Sequence, residues 1–410
     1  MKKQYVSLLL VVLMTCGLCA CGISEVLPLE ENEREVQTVD TTPFYLYEEA
    51  EAQSFFDADF AMNLADQGWE SSTAATPKAP SGVVFDAQNG SYDARSSNIA
   101  GMVLTEAQLD GLTYDTHTYF DDTIYDYFDP KAEMEKGKDP GLGIRDLHAQ
   151  GITGKGVNIG IVDQTLHDPI EYEGKVRYYR NLGTWTSASM HGCAVASLAV
   201  GETIGTAPDA NLYYVAADTE KGDDGDYEAI HHLLDLNETL PEEDKIAVIS
   251  LSYGGLEGPK WEEVLARAES QEVWLLTCGN FTPEYFGAGA PMGTDPNDPL
   301  AYVFANWIGE PWRVDVLVPM DNRTIAAPGS GSAYTYMSNG GVSWIPPYLA
   351  GVYALAKQVD PDLTHDAFTA LAIETAYDSS IAWPKPKNDP YSTQKMGVLN
   401  PAGIIEALEK

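Results

Sequence analysis

The stretch Asn339-Gly340-Gly341-Val342-Ser343-Trp344-Ile345-Pro346-Pro347-Tyr348-Leu349-Ala350-Gly351 passes from small, turn-forming residues into an apolar run that continues through Val352-Tyr353-Ala354-Leu355-Ala356-Lys357. The change of pattern predicts a buried helix over about 343–358. Both prolines fall in its first turn, where an amide N–H has no intrahelical partner to lose. Ser343 at the start of that helix has two readings. Serine is a favoured helix cap for reasons unrelated to chemistry. It is also well placed as a nucleophile, because the glycines before it let a substrate backbone come close and a helix start favours developing negative charge. What decides between them is what the rest of the chain supplies.

Upstream, a short helical pattern around Ile144 and Leu147 leads to the turn Gly151-Ile152-Thr153-Gly154-Lys155-Gly156 and then to the apolar run Val157-Asn158-Ile159-Gly160-Ile161-Val162-Asp163. From there, apolar strands at Asn211–Ala216, Ile246–Leu251 and Val273–Thr277 alternate with helical stretches at about 191–201, 227–238 and 260–270. Continuous apolar strands separated by helices mean a mostly parallel β-sheet covered by helices on both faces. Residues 141–410 are therefore expected to form one large α/β domain.

In such a sheet, sites gather at the carboxyl ends of strands. Asp163 ends the first of these strands, and Asn280 follows the run Val273-Trp274-Leu275-Leu276-Thr277-Cys278-Gly279. Either residue also suits an ordinary turn. His191 opens the small-residue run Gly192-Cys193-Ala194-Val195-Ala196, whose close packing would fix the imidazole. The adjacent pair His231-His232 has no carboxylate or cysteine at metal-ligand spacing and reads as an ordinary helix face.

Together these residues resemble the subtilisin-like serine peptidases over about residues 141–377. The order Asp163, His191, Ser343 is that family's order and not that of other serine hydrolases. Ile159-Gly160-Ile161-Val162-Asp163 looks like the aspartate strand, and His191-Gly192-Cys193-Ala194-Val195-Ala196 like the histidine helix. Gly341-Val342-Ser343-Trp344-Ile345-Pro346-Pro347 looks like the serine motif. Gly205-Thr206-Ala207-Pro208, Ser252-Tyr253-Gly254-Gly255, Cys278-Gly279-Asn280 and Ala326-Ala327-Pro328-Gly329 agree in register. The resemblance implies a three-layer α/β fold and a serine endopeptidase in which Ser343 attacks, His191 is base and then acid, and Asp163 holds the imidazole. It further implies that the Asn280 side chain and the Ser343 N–H meet the oxyanion. Ser252-Tyr253-Gly254 and Thr277-Cys278-Gly279 would flank the substrate. Gln164, Thr165, Ala194, Val342 and Trp344 depart from the family pattern beside catalytic positions, which puts rate and substrate range in question. They also motivate the alternative of a catalytically weak or inactive relative that binds peptides or a partner. No metal or other cofactor is required by this chemistry. The connection Leu198–Pro208 is short where relatives often carry a calcium loop, and the acidic run Asp218–Asp226 reads as a solvated loop more readily than as a calcium site.

The amino terminus reads as an export leader, with Lys2 and Lys3 before an apolar run from Tyr5 to Met14 that is too short to span a bilayer. Leu18-Cys19-Ala20-Cys21 resembles a bacterial lipoprotein box. Its implication is a signal peptide over 1–20 and a lipid anchor on Cys21, at the outer face of the cytoplasmic membrane. A plain secretory leader or a lipid on Cys16 are the alternatives. The formal net charge of -38 excludes nucleic-acid binding by phosphate neutralisation. The two resemblances imply a polypeptide substrate and a membrane lipid as partners. Residues 21–140 are expected to form an acidic spacer or a pro-segment. Of the five cysteines, Cys193 and Cys278 fall in the α/β portion, where they read as small buried residues or as one bridge.

Overall fold

The computed structural model describes residues 84–86, 91–120, 122–166, 170–183, 189–279, 282–304, 314–327, 333–379 and 396–410. The expected leader and Cys21 lie outside these residues, as does the acidic spacer before residue 84.

Strands β1 (Val84–Asp86), β2 (Ser91–Asp93) and β3 (Leu112–Asp115) come first, with helix α1 (Glu106–Asp110) between β2 and β3. Helices α2 (Pro130–Lys136) and α3 (Ile144–Ala149) lead to β4 (Asn158–Asp163) and β5 (Val176–Asn181). Then follow α4 (Met190–Val200), β6 (Asn211–Ala216), α5 (Asp223–Thr239), β7 (Ile246–Leu251), α6 (Pro259–Ser270) and β8 (Trp274–Leu276). The central sheet has the order β5-β6-β4-β7-β8 with every pairing parallel.

Side chains alternate across this sheet with the period of two that a strand imposes. Ile159 and Ile161 of β4 join Val195 and Leu198 of α4 in one core cluster, with Leu349 and Tyr353 of helix α7 (Ile345–Val359). Val162 joins Ile230 and Leu233 of α5 and Val264 of α6 in another. Helices therefore cover both faces, and burial on both sides explains why the middles of β4, β6 and β7 are continuous apolar runs. The edge strand β5 reads Val-Arg-Tyr-Tyr-Arg-Asn, buried only at alternate positions at its start, so it lacked the continuous apolar signal of its neighbours.

A second sheet runs β10 (Val303–Phe304), β9 (Tyr285–Gly289), β11 (Val316–Pro319), β15 (Gly397–Val398), β14 (Tyr377–Asp378). The third joins the amino-terminal strands to a pair from the later part of the chain, in the order β1-β2-β3-β13-β12, where β12 is Arg323–Ala326 and β13 is Tyr334–Met337. β3 pairs antiparallel with β13, with Tyr114 opposite Tyr336. Farther along, the Thr324 N–H donates to Gly137 O at 2.8 Å, and Thr324 Oγ1 donates to Met134 O at 2.6 Å. Strand pairing and hydrogen bonds thus cross the boundary expected at residue 140.

Tyr114 is the centre of this attachment. It is buried, its hydroxyl donates to Pro130 O at 2.6 Å, and its ring meets Phe120, Phe128 and Tyr336 at centroid distances of 5.4, 6.1 and 5.1 Å. Tyr114→Ala should therefore cost about 3–5 kcal/mol, as deletion of a buried aromatic does. Urea unfolding monitored by near-ultraviolet circular dichroism checks this, and an unchanged midpoint would show that the segment adds nothing to the stability of the sheet.

Candidate active site

Asp163 is the last residue of β4 and His191 lies in the first turn of α4, whose cap Ser189 accepts the His191 N–H at 3.1 Å. His191 Nδ1 stands 2.7 Å from Asp163 Oδ1. A carboxylate can only accept, so Nδ1 carries the proton and Nε2 is left as the basic nitrogen. Asp163 Oδ1 also accepts the Gln164 N–H at 2.8 Å, which fixes the carboxylate.

The two elements meet because Gly192 has no side chain. A Cβ there would lie 2.7 Å from both Gln164 O and Thr165 O and 2.8 Å from the Tyr214 hydroxyl. The Tyr214 hydroxyl donates to Gln164 O, and Ser189 Oγ donates to Gln164 Oε1. Gln164, a departure from the family pattern, is thus the piece that ties the turn after β4 to the start of α4. Ala194, another departure, is fully buried against the core of the same helix.

Ser343 sits in a 3₁₀ turn, Val342–Trp344, that runs directly into α7. The turn is held by a close approach at Gly340, where a Cβ would fall 1.6 Å from Met320 O. Ser343 Oγ donates to Ser252 O at 3.1 Å, and Ser252 Oγ donates to Ser343 O at 2.8 Å. Among the described residues no hydrogen bond joins Ser343 to His191. Trp344 connects them instead, with its ring 5.6 Å from the His191 ring. That tryptophan is buried, and its indole N–H has no hydrogen-bond partner among the described residues.

The segments expected to flank a substrate come together here. The Cys278 N–H donates to Tyr253 O at 3.0 Å, and the site of a Cβ on Gly254 is 3.6 Å from the Cys278 carbonyl carbon. Cys278 Sγ donates to Val342 O at 3.3 Å. Thr277 lies behind them, its carbonyl accepting Thr282 Oγ1 at 2.5 Å, and the Gly279 N–H turns back to Thr277 Oγ1 at 3.3 Å. Asn280 lies outside the described residues. Cys193 and Cys278 are not joined by a disulfide.

No group of three or more metal-ligating side chains occurs among the described residues. The acidic run Asp218–Asp226 is not the solvated loop expected: Thr219–Lys221 form a 3₁₀ turn and Asp223 opens α5, with Asp223, Asp224 and Asp226 in its first turn. Burial, with the charges of Asp163 and Asp223, pushes the Asp226 carboxyl up to about 7. Lys221 is shared between Asp218 at 3.6 Å and Glu228 at 2.7 Å. The sequence gives little sign that Trp344 meets the His191 ring or that Tyr214 holds the turn after Asp163. Trp344 was visible only as a departure beside Ser343, and Tyr214 only as an apolar residue of a strand.

No protein-family model matches the chain. It is 28% identical over 230 residues to the M-protease of Shouchella clausii, covering 52% of this chain and 57% of that protein. It is 27% identical over 230 residues to Subtilisin Savinase of Lederbergia lenta, covering 52% and 81%. With the Minor extracellular protease Epr of Bacillus subtilis it shares 23% identity over 239 residues, 54% of this chain and 35% of that protein. The chain thus spans about half or less of the length of two of these three relatives. Among solved structures it is similar to fervidolysin from Fervidobacterium pennivorans, described as a keratinolytic enzyme related to subtilisin. The TM-score is 0.50 at 18% identity, over 67% of this chain and 47% of that one.

Burial alone would lower the pKa of His191, but the charge of Asp163 and its hydrogen bond outweigh burial and hold it above 6.5. Because the folded value is raised, the pair stabilises the fold below the unfolded value, and this contribution is lost as pH rises through the folded one. The His191 ring should therefore titrate by NMR with a midpoint above 6.5, and Asp163→Asn should lower that midpoint. A midpoint unmoved by the substitution would mean that the two side chains do not interact in solution. The chain has the subtilisin-like fold, a mostly parallel sheet between helical layers, and is related in sequence to the subtilisin-like serine proteases.

Proposed function

We propose that the chain is a serine endopeptidase working through Asp163, His191 and Ser343. The observation that carries this reading is the 2.7 Å contact between Asp163 and His191 Nδ1, beside a serine at the entry to a buried helix. With Nδ1 engaged, Nε2 is the nitrogen that takes the Ser343 proton, and it returns that proton to the leaving amine. Asp163 stabilises the imidazolium that forms between those steps. The Ser343 hydroxyl turns from Ser252 O to His191 Nε2 when substrate arrives, since catalytic hydrogen bonds are often incomplete before binding. The Ser343 N–H at its helix start and the Asn280 side chain receive the developing oxyanion.

The substrate is a polypeptide lying along Ser252-Tyr253-Gly254 on one side and Thr277-Cys278-Gly279 on the other. A relative whose name describes an extracellular protease supports a secreted enzyme. The leader and Cys21 add a lipid anchor at the outer face of the cytoplasmic membrane. No helix among the described residues is long and apolar enough to cross a membrane. Pairing of β3 with β13 supports keeping residues 91–140 in the active form, because their removal would strip a partner from the strand that leads to Ser343.

Expression of wild type, Ser343→Ala, His191→Ala and the double variant in a bacterium that processes lipoproteins tests the proposal. Each single change should lower kcat for a peptide substrate by about 10²–10⁴-fold or more, the usual worth of a general base. The double variant should be hardly worse than either single one, because the residues act as a unit. Additive losses, or unchanged rates, would contradict a shared mechanism and favour a peptide-binding surface protein. Fractionation of the same cultures tests the anchor: a full-length protein in the membrane fraction is expected, wild type and Ser343→Ala both soluble would refute the anchor, and a shortened soluble wild type beside a full-length membrane-bound Ser343→Ala would refute a permanent stalk and establish self-release.

A further inference from the structure

Trp344 directly follows Ser343 and closes the 3₁₀ turn Val342–Trp344, where its backbone N–H donates to Gly341 O at 2.8 Å. It is 3% exposed and belongs to the core cluster of Val195 and Leu198 of α4. Gly340 packs on it so closely that a Cβ there would lie 2.7 Å from Trp344 Cδ1. The core and the backbone of its own turn therefore hold the ring in place. Packing alone does not explain a tryptophan here. Its buried indole N–H has no acceptor among the described residues, a cost that a purely apolar side chain does not carry.

What the indole does meet is the His191 ring. The centroids are 5.6 Å apart and the planes are inclined by 37°, nearer to stacked than to edge-on. The face of an indole carries the negative part of its quadrupole, so a cation within about 6 Å of the centroid is attracted to it, more strongly where water is excluded. The imidazole becomes such a cation each time it takes a proton. Asp163 faces it at Nδ1, 2.7 Å away, and Asp226 of α5 interacts by charge with Asp163. Cys193, on the same helix, is fully buried. The other charged and titratable groups around α4 are engaged elsewhere. Tyr214 of β6 donates to Gln164 O, and burial pushes its hydroxyl far above its ordinary value, so it stays neutral. Glu171 accepts Thr203 Oγ1 at 2.6 Å, beyond the carboxyl end of the helix. Arg323 of β12 donates to Ile204 O at 3.3 Å, also beyond that end, with the Tyr348 ring of α7 5.7 Å from it. Among the described residues, Asp163 and Trp344 are thus the two side chains placed to stabilise a protonated His191.

We infer that Trp344 is a positioning residue for the proton transfer, holding the His191 ring against Asp163 and stabilising the imidazolium through its π face. This rests on the reading of His191 as the general base. Being buried, Trp344 acts through His191 and not on the substrate.

The sign of one measurement separates this role from simple packing. Burial pulls the His191 pKa down, so if Trp344 only excluded water, a smaller side chain would hydrate the imidazole and raise its midpoint. Loss of a π face lowers it. NMR titration of the His191 ring in the Ser343→Ala protein, with Trp344 intact, Trp344→Phe and Trp344→Leu, makes the comparison. Trp344→Leu should lower the midpoint by about 0.4–1.5 pH units, the worth of a cation–π contact, and Trp344→Phe by less. With Ser343 restored, Trp344→Leu should lower kcat by about 2–30-fold with KM nearly unchanged, and should move the acid limb of the kcat/KM profile to lower pH. The titration needs no peptide cleavage, so its failure is distinct from failure of the peptidase reading. A midpoint that stays or rises in Trp344→Leu would overturn the inference. If that variant does not fold, fluorination of the Trp344 ring weakens the π face and keeps its shape, and a midpoint unmoved by fluorine would overturn it equally.

Discussion

The site depends on one close approach, that of the start of α4 to the turn that follows β4. Only a glycine at 192 permits it, and only at that separation does the carboxylate at the end of a buried parallel strand reach His191 Nδ1 at 2.7 Å. The strand fixes Asp163 by its pairing with β6 and β7 on both sides. The helix fixes His191 by burying Gly192 and every residue from Cys193 to Val200. The geometry of the pair is therefore set by the core and not by a mobile loop, which is what preorganised proton transfer requires.

Ser343, the proposed nucleophile, is supported from the opposite direction. Ser343 stands at the junction of a sheet that contains the amino-terminal strands and a helix that belongs to the main core. β13 enters the junction paired to β3 on one edge and β12 on the other, and α7 leaves it buried from Ile345 through Ala356. Gln358, near the end of that helix, accepts the N–H groups of Thr153, Gly154 and Lys155 at 2.8, 2.7 and 3.1 Å. The helix that follows Ser343 thus ends by clamping the turn before β4, and the strand of Asp163 and the helix after Ser343 are fastened to each other.

Much of this was legible in the sequence, for identifiable reasons. Strands buried on both faces declare themselves by continuous apolar runs, so β4, β6 and β7 were visible, with β6 and β7 placed to the residue. Asp163, His191 and Ser343 stood out because their residue types and order are constrained by chemistry, and the structure brings the first two into contact. The attachment of the amino-terminal segment was not legible. Tyr114 finds Tyr336 across more than two hundred residues of chain, and pairing between short strands leaves no local signature. Nor was the partner of the Ser343 hydroxyl, because the carbonyl of Ser252 is a backbone group available at any residue.

The central claim is that Ser343 is a nucleophile activated by His191. The most direct measurement is reaction of the intact protein with a fluorophosphonate between pH 6 and 9, followed by digestion and mass spectrometry. The account predicts one covalent adduct, on Ser343, formed faster as His191 loses its proton and lost in His191→Ala. No adduct at any pH in a folded protein, or an adduct on another residue, would contradict it.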